Sequence, residues 1–357
     1  MNTQTEIILN RICLTAAEQR VSEVYLLPAQ TPFIRIDGKM KSMVGEGIVS
    51  LTFINELFDN FFTPEEREEI QKNRQLETMK SIGKIGNCQV NVYYQKNQLA
   101  LRIKLLAQEI VSLDKLGVPA MAVKFAELNR GLVFITGPRD SGRSTLANSL
   151  LSHINKSQCK FIATVEKPIK SVISGLKSVV EQREVGKDVH SFMAGLNFVR
   201  QRNADVVLIS QINNAEIMDE IFAITEAGSL VFAIMDTESS IKTIKRILHF
   251  YPSSKEESIR YFLSENLGGI ISSRLVPAIG GGRLRALEIL TGTSAVRNII
   301  ASGRFHQLSG LLYASEDQTS ISLDQYLADL VASSKIMIDE ALSHCINEEI
   351  FRSLLRR

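Results

Sequence analysis

Long hydrophobic runs are missing from this chain of 357 residues. A membrane-spanning helix needs about 18 or more mostly apolar residues, and no apolar segment approaches that length. The N-terminus also lacks the basic-then-apolar layout of a signal peptide. Both absences lead us to expect a soluble, intracellular protein, with no direct membrane insertion and any membrane role supplied by a partner. Cysteine is scarce: Cys13, Cys88, Cys159 and Cys345 are scattered without a C-x-x-C pair, which disfavours a structural zinc site or a disulfide framework and suits a reducing cytoplasm. A charge excess of one sign is missing as well. The 41 basic and 39 acidic residues leave a net charge of +2, without the basic footprint of a nucleic-acid binder or an acidic tail. There is no internal repeat or low-complexity tract. His190 stands alone, the other histidines form no cluster, and Cys159 has no neighbouring base to make it a nucleophile.

The length suggests two or three domains, at roughly 100–200 residues each. Residues 1–107 read as a small α+β domain. Ile7, Ile8, Ile12 and Leu14 mark an opening amphipathic helix, Val24 to Leu27 and Phe33 to Ile36 read as strands, and Asp37-Gly38 is a hairpin turn signal. Leu51 to Phe62 comes next as an apolar-periodic helix. Thr63-Pro64-Glu65-Glu66 opens another, with Thr63 as cap, Pro64 at the first helical position and Glu66 completing a capping box. Gln89 to Gln95 and Leu99 to Leu105 alternate as strands around Lys96-Asn97. Residues 108–130, broken by Gly117-Val118-Pro119, read as a linker with a short helix.

From Gly131 the pattern alternates strand and helix: Val133–Thr136, Leu146–Ile154, Lys160–Val165, Ser191–Arg202, Val206–Ser210, Ala215–Ala227, Leu230–Met235. Such alternation predicts an α/β fold with a mainly parallel sheet, whose ligands sit at the strand carboxyl ends. Helices at Ser240–His249 and Lys255–Leu267 and two strands around Gly280-Gly281-Gly282 extend it. Apolar residues from Leu323 to Leu354 (among them Leu327, Leu330, Ile338, Ile346 and Ile350) then recur at helical spacing, giving a C-terminal helical region whose stripe faces the core.

One loop falls at such a carboxyl end. Gly137-Pro138-Arg139-Asp140-Ser141-Gly142-Arg143-Ser144-Thr145 comes after an apolar strand and precedes a helix. In the pattern G-x-x-x-x-G-K-[ST], glycines permit the tight turn, backbone N–H groups and the helix N-terminus cradle phosphates, Lys reaches the β/γ-phosphates and Ser or Thr binds Mg²⁺. Arg143 stands where Lys belongs. Its guanidinium is cationic, but its fork and reach differ from those of an ammonium. The loop residues Gly137 to Thr145 are therefore candidates for nucleotide binding, with Ser144 the candidate metal ligand and hydrolysis expected to be poor.

The loop belongs to a longer resemblance that runs nearly end to end through the chain. Gly131-Leu132-Val133-Phe134-Ile135-Thr136-Gly137-Pro138, Glu181-Gln182-Arg183-Glu184-Val185-Gly186-Lys187-Asp188-Val189-His190-Ser191-Phe192, Leu230-Val231-Phe232, Ile279-Gly280-Gly281-Gly282-Arg283 and Ala295-Val296-Arg297-Asn298-Ile299-Ile300 occur in order. Together they resemble the PilT/PilU family of type IV pilus retraction ATPases, within the secretion ATPase superfamily. The resemblance implies a PAS-like N-terminal domain over 1–107, a linker over 108–130 and a RecA-like P-loop ATPase domain with C-terminal helices over 131–357. It further implies ATP and Mg²⁺ as cofactors and a hexameric ring. Its partners would be identical subunits or an active paralogue, and the pilus platform protein. Its place would be the cytoplasm, peripheral to the inner membrane.

The chain also departs from the family pattern. Glu166 matches an acidic residue that could orient water or metal, although Lys167 replaces the acid after it. Gln211 occupies the Walker B glutamate position, where an amide cannot act as a general base. Asp236 replaces a histidine of the family's His box, putting a carboxylate where it would repel phosphate, and Ser229 replaces an earlier one. Arg102 matches a trans-acting arginine finger and Asn97 replaces another. Two functions stay open: a regulatory or structural pilus-motor subunit with weak or absent ATP turnover, and an active retraction ATPase with an altered site. Assembly or secretion ATPases fit less well, because the chain is short and has no Cys₄ insertion.

Overall fold

The computed structural model describes residues 4–19, 21–36, 39–43, 45–106, 109–314 and 319–356. The chain divides into two compact units between Glu109 and Ile110. The Asp37-Gly38 turn lies outside the described residues, as do Ala107 and Gln108, the expected boundary between the first domain and the linker.

The first unit contains α1 (Gln4–Glu18), β1 (Glu23–Leu26), β2 (Phe33–Ile36), β3 (Lys39–Ser42), α2 (Leu51–Phe61), α3 (Pro64–Asn73), β4 (Gln75–Ile82), β5 (Gly86–Gln95) and β6 (Gln98–Leu105). The strands form one sheet in the order β3-β2-β1-β6-β5-β4, every pairing antiparallel. On β5 the alternate residues Cys88, Val90 and Val92 turn to the core, as a half-buried strand requires. The α3 capping box forms as the sequence predicts: Thr63 Oγ1 accepts from the Glu66 amide, and Glu66 Oε2 accepts from the Thr63 amide at 2.9 Å.

The buried face of α1 differs from expectation. Thr5, Leu9, Ile12, Cys13 and Ala16 are buried, whereas Ile7 and Leu14 are exposed. The observed set keeps helical spacing through small residues that let the helix approach its neighbours. Of the expected stripe, Ile12 is buried and Ile8 packs partly buried against the core, while Ile7 and Leu14 turn outward.

The second unit contains α4 (Ala120–Val123), β7 (Gly131–Thr136), α5 (Arg143–Ser157), β8 (Phe161–Glu166), β9 (Val179–Glu184), α6 (Phe192–Gln201), β10 (Val206–Ile209), α7 (Ala215–Glu226), β11 (Leu230–Ile234), α8 (Ser240–Leu248), α9 (Glu256–Asn266), β12 (Leu267–Pro277), β13 (Arg283–Thr291), α10 (Ser294–Ser302), α11 (His306–Ala314), α12 (Leu323–Ala332), α13 (Ile338–His344) and α14 (Glu348–Leu354). Its sheet runs β13-β12-β7-β11-β10-β8-β9, parallel throughout except for the β12–β13 hairpin.

Every residue of β7 is buried, which places the loop strand deep in the sheet with helices on both faces. Leu132 and Phe134 join one core with Leu196, Ile221, Ile247 and Ile300. Val133 and Ile135 join the other, with Leu146, Leu150 and Ile154 of α5. Burying a side chain such as Phe134 contributes about 2–3 kcal/mol, so the strand that carries the loop is held firmly from both sides.

The C-terminal helices pack Leu323, Leu327, Leu330, Ala341 and Phe351 against Val276 and Ala286 of the hairpin. Ile338 and Ile346, expected in the core stripe, are exposed. Three short helices rather than one long helix break the register, and Phe351 takes the interior position instead. On α12, the Tyr326 hydroxyl donates to the Gly117 carbonyl at 3.0 Å.

Candidate functional site

Parallel pairing brings four candidate positions to one edge of the second sheet. The register sets Val165 of β8 beside Ile209 of β10, Ile209 beside Ala233 of β11, and Ile234 beside Ile135 of β7. Glu166, Gln211, Asp236 and Gly137 therefore all lie at strand carboxyl ends, where an open α/β sheet places its ligands. Ser229 is not among them. It precedes β11, at the amino end, and its hydroxyl is buried on the Ala204 carbonyl at 2.7 Å. The residue expected to belong to the His box thus sits at the far end of the strand.

The loop from Gly137 to Thr145 is shaped by positive φ angles at Gly137, Asp140 and Gly142. At Gly137 a Cβ would come within 2.3 Å of the Ser273 carbonyl oxygen, so only glycine fits. Gly142 precedes α5 with φ +81° and offers no side chain to the first-turn amides, which stay available to an anion. Ser141 Oγ is buried without a hydrogen-bond partner. These features fit a phosphate group.

The loop is fastened from behind by residues that sequence reading did not single out. Ser273 Oγ, on β12, donates to the Ser141 carbonyl at 2.7 Å. Arg285, on β13, is 7% exposed; its Nη1 donates to Ser273 Oγ at 2.6 Å and to the Gly142 carbonyl at 3.2 Å. Burial pushes the Arg285 guanidinium down to about 10, the mark of a charge held in a dry place by its hydrogen bonds. No local pattern flags a partner 143 residues away.

Arg143 is half-buried at the start of α5. Burial lowers its pKa, while Asp236 and Asp140 favour its charged form. Asp236, expected to repel phosphate, thus also favours the charge on the arginine that replaces lysine.

Glu166 ends β8 and is 3% exposed. Burial raises its pKa above the usual carboxylate value, against hydrogen bonds to Oε1 from Thr164 at 2.8 Å and from Gln182 at 3.1 Å, and against the nearby Lys170. Gln182 lies in the stretch that resembles the family, and its role becomes visible here: it holds Glu166 and also donates to the Ser171 carbonyl at 3.0 Å. Gln211 is exposed just beyond β10.

The metal expectation meets a different group. Ser144 Oγ accepts a hydrogen bond from Lys170 Nζ at 3.1 Å, so an ammonium sits at the hydroxyl that a P-loop offers to Mg²⁺. A cation at this oxygen does not fit a metal ligand. Among the described residues no cluster of three or more His, Cys, Asp or Glu side chains could hold one.

The remaining candidates lie in the first unit. Arg102, on β6, is paired with Glu23, a carboxylate 2% exposed that also accepts from Arg35 Nε at 3.1 Å and from the Tyr25 hydroxyl at 2.6 Å. Asn97 sits in the β5–β6 turn and accepts from Arg74, whose guanidinium carbon lies 3.6 Å from the centroid of the Tyr94 ring. In the second unit, His190 and Cys159 are exposed.

The fold has known counterparts. The family model of the type II/IV secretion system protein matches residues 64–336. The type IV pilus retraction ATPase PilT of Pseudomonas aeruginosa is 28% identical over 326 residues, covering 91% of this chain and 94% of its own length. A twitching motility protein of Neisseria gonorrhoeae is 29% identical, covering 94% of this chain and 90% of its own. A crystal structure of the pilus retraction motor PilT with bound ADP superposes with a TM-score of 0.84 at 30% identity, covering 97% of this chain and 99% of that one. With the family model spanning well over half of the sequence and the PilT fold matched nearly end to end, the chain belongs to the type II/IV secretion system protein family, in its PilT/PilU-like branch.

Proposed function

We propose that this protein binds ATP or ADP through Gly137 to Thr145 and serves a type IV pilus retraction system as a PilT-like subunit with weak or absent hydrolysis, modulating the motor rather than driving it. The observation that carries the reading is a contrast along one sheet edge. The loop is fastened by Ser273 and Arg285, whereas Gln211 presents an amide at the place of the base. Loss of a general base costs about 10²–10⁴ in rate, and Asp236 sets negative charge within electrostatic reach of Arg143, where phosphoryl transfer uses positive charge.

As a ring subunit it assembles with its own copies or with an active paralogue, at the cytoplasmic side of the pilus platform. In such a ring Arg102 acts in trans only after leaving Glu23. One observation favours the second reading, an active hexameric retraction ATPase: Glu166 is buried at a strand end with a raised pKa, as a residue that takes a proton from water requires.

Nucleotide binding and steady-state hydrolysis on the purified protein, beside an Arg143→Lys, Gln211→Glu double variant, decide between them. Binding with negligible turnover, and turnover gained by the double variant, supports the modulating subunit. Turnover by the natural protein that disappears in Glu166→Gln supports the motor. Failure of the natural protein to bind nucleotide refutes both.

A further inference from the structure

Lys170 is placed by its surroundings. One residue before it, the Ile169 amide donates to Glu184 Oε2 at 3.0 Å. On the other side, Gln182 receives the Ile173 amide at 2.6 Å and donates to the Ser171 carbonyl at 3.0 Å. Both chain neighbours of Lys170 are therefore pinned to β9, and its ammonium is presented to Ser144 at 3.1 Å. Nearby lies the buried carboxylate of Glu166, which feels its charge.

A divalent ion has poor prospects at the same oxygen. Mg²⁺ binds oxygen at about 2.0–2.1 Å in near-octahedral geometry, with one or two carboxylates and the phosphates as usual partners. An ammonium already on Ser144 would face it at a few ångströms, and like charges that close repel strongly in a half-buried place. The carboxylates are otherwise engaged: position 211 is an amide, Asp236 acts on Arg143, and Glu166 receives Thr164 and Gln182. An ammonium, by contrast, is a compact point charge suited to phosphate oxygens.

We propose that Lys170 takes the place of the divalent cation, so that the loop binds the diphosphate or triphosphate of a nucleotide without Mg²⁺. This inference rests on the nucleotide reading above and deepens it: Arg143 meets the phosphates from the helix start and Lys170 from the Ser144 side, two fixed cations in place of a lysine and an exchangeable metal.

The test is ADP binding by calorimetry and by thermal shift, with the full chain, in Mg²⁺ and in EDTA. The expected affinity of the natural protein changes by less than about threefold between the two media, well inside one tenfold step of the affinity scale. In Lys170→Glu, which puts a carboxylate at the spot, binding in EDTA falls by about tenfold or more and Mg²⁺ restores it. Ser144→Ala, a small change that leaves the fold intact, weakens binding equally in both media. A natural protein whose affinity rises more than about tenfold with Mg²⁺, or a Lys170→Glu variant indistinguishable from it, overturns the inference while leaving nucleotide binding in place. No ADP binding in either medium overturns the nucleotide reading itself.

Discussion

Gly142→Ala is expected to destabilise the second unit by about 3 kcal/mol, through two effects that can be separated. The first is conformational. Gly142 has φ +81°, and an alanine held in the left-handed region costs about 1–2 kcal/mol. The second is a collision, because a Cβ at 142 would lie 2.7 Å from Arg285 Nη2 and 3.0 Å from Nη1. The guanidinium must move, yet it is buried and tied to Ser273 Oγ at 2.6 Å and to the Gly142 carbonyl at 3.2 Å. Hydrogen bonds made by a charged group are worth about 1.5–3 kcal/mol each, and loss of the better one accounts for the remainder. In an Arg285→Met background the collision is gone, so the double-mutant cycle should show a coupling of about 2 kcal/mol. A chain of two units need not unfold in one transition, so the assay is denaturant-dependent hydrogen exchange at the amides of β7 and α5. A loss below about 1 kcal/mol, or additivity of the two substitutions within about 0.5 kcal/mol, would show that Arg285 does not clamp the loop.

Glu166→Gln should raise the melting temperature at pH 8, and the gain should vanish as the pH falls. Burial raises the Glu166 pKa above 4.5, so the folded state binds the extra proton. The favourable contribution of the protonated form is complete below pH 4.5 and is lost as pH rises through the folded value; removing the charge relieves that loss only at higher pH. Melts of both proteins across this range that run parallel would refute the assignment. Glu23→Leu should cost the first unit about 3 kcal/mol by leaving the Arg102 and Arg35 guanidinium groups without their buried carboxylate, read by exchange at β1 and β6. Thr63→Ala should cost about 1 kcal/mol through loss of the capping box; an unchanged α3 would argue against it.

Much of the sheet edge was legible because its signals are local. A buried strand, a glycine turn and a helix start lie together in sequence, and Thr63-Pro64-Glu65-Glu66 carries its own cap. What stayed hidden was set by partners elsewhere. The four residues of β3 are all exposed, so this edge strand has no apolar alternation to reveal it. β4 is mostly polar and found only through its pairing with β5. Only the end of β9, Glu181 to Glu184, falls in the family-like stretch, and its strand character comes from lying parallel to β8. The helices α10 and α11 also went unread. Ser229 and Asp236 are assigned to one box by the resemblance, but five residues of β11 carry the chain from one end of the sheet to the other between them. Lys170 and Arg285 reach the loop from 26 and 143 residues away, and nothing in a single sequence ties such positions together.

The Tyr326 contact bears on how stiff the loop can be. Tyr326 anchors Gly117 through its hydroxyl and lies close enough to Arg285 to influence its charge, while Arg285 grips the carbonyl of Gly142. Two side chains thus stand in series between the strip of backbone that enters the second unit and the floor of the loop. Slack in α12 would be felt at both ends: the entering strip would loosen, and the floor would lose the support behind its clamp. The rigidity of the phosphate cradle is therefore borrowed from a helix that lies outside the loop, and softening the C-terminal layer would blunt the cradle without altering any residue in it.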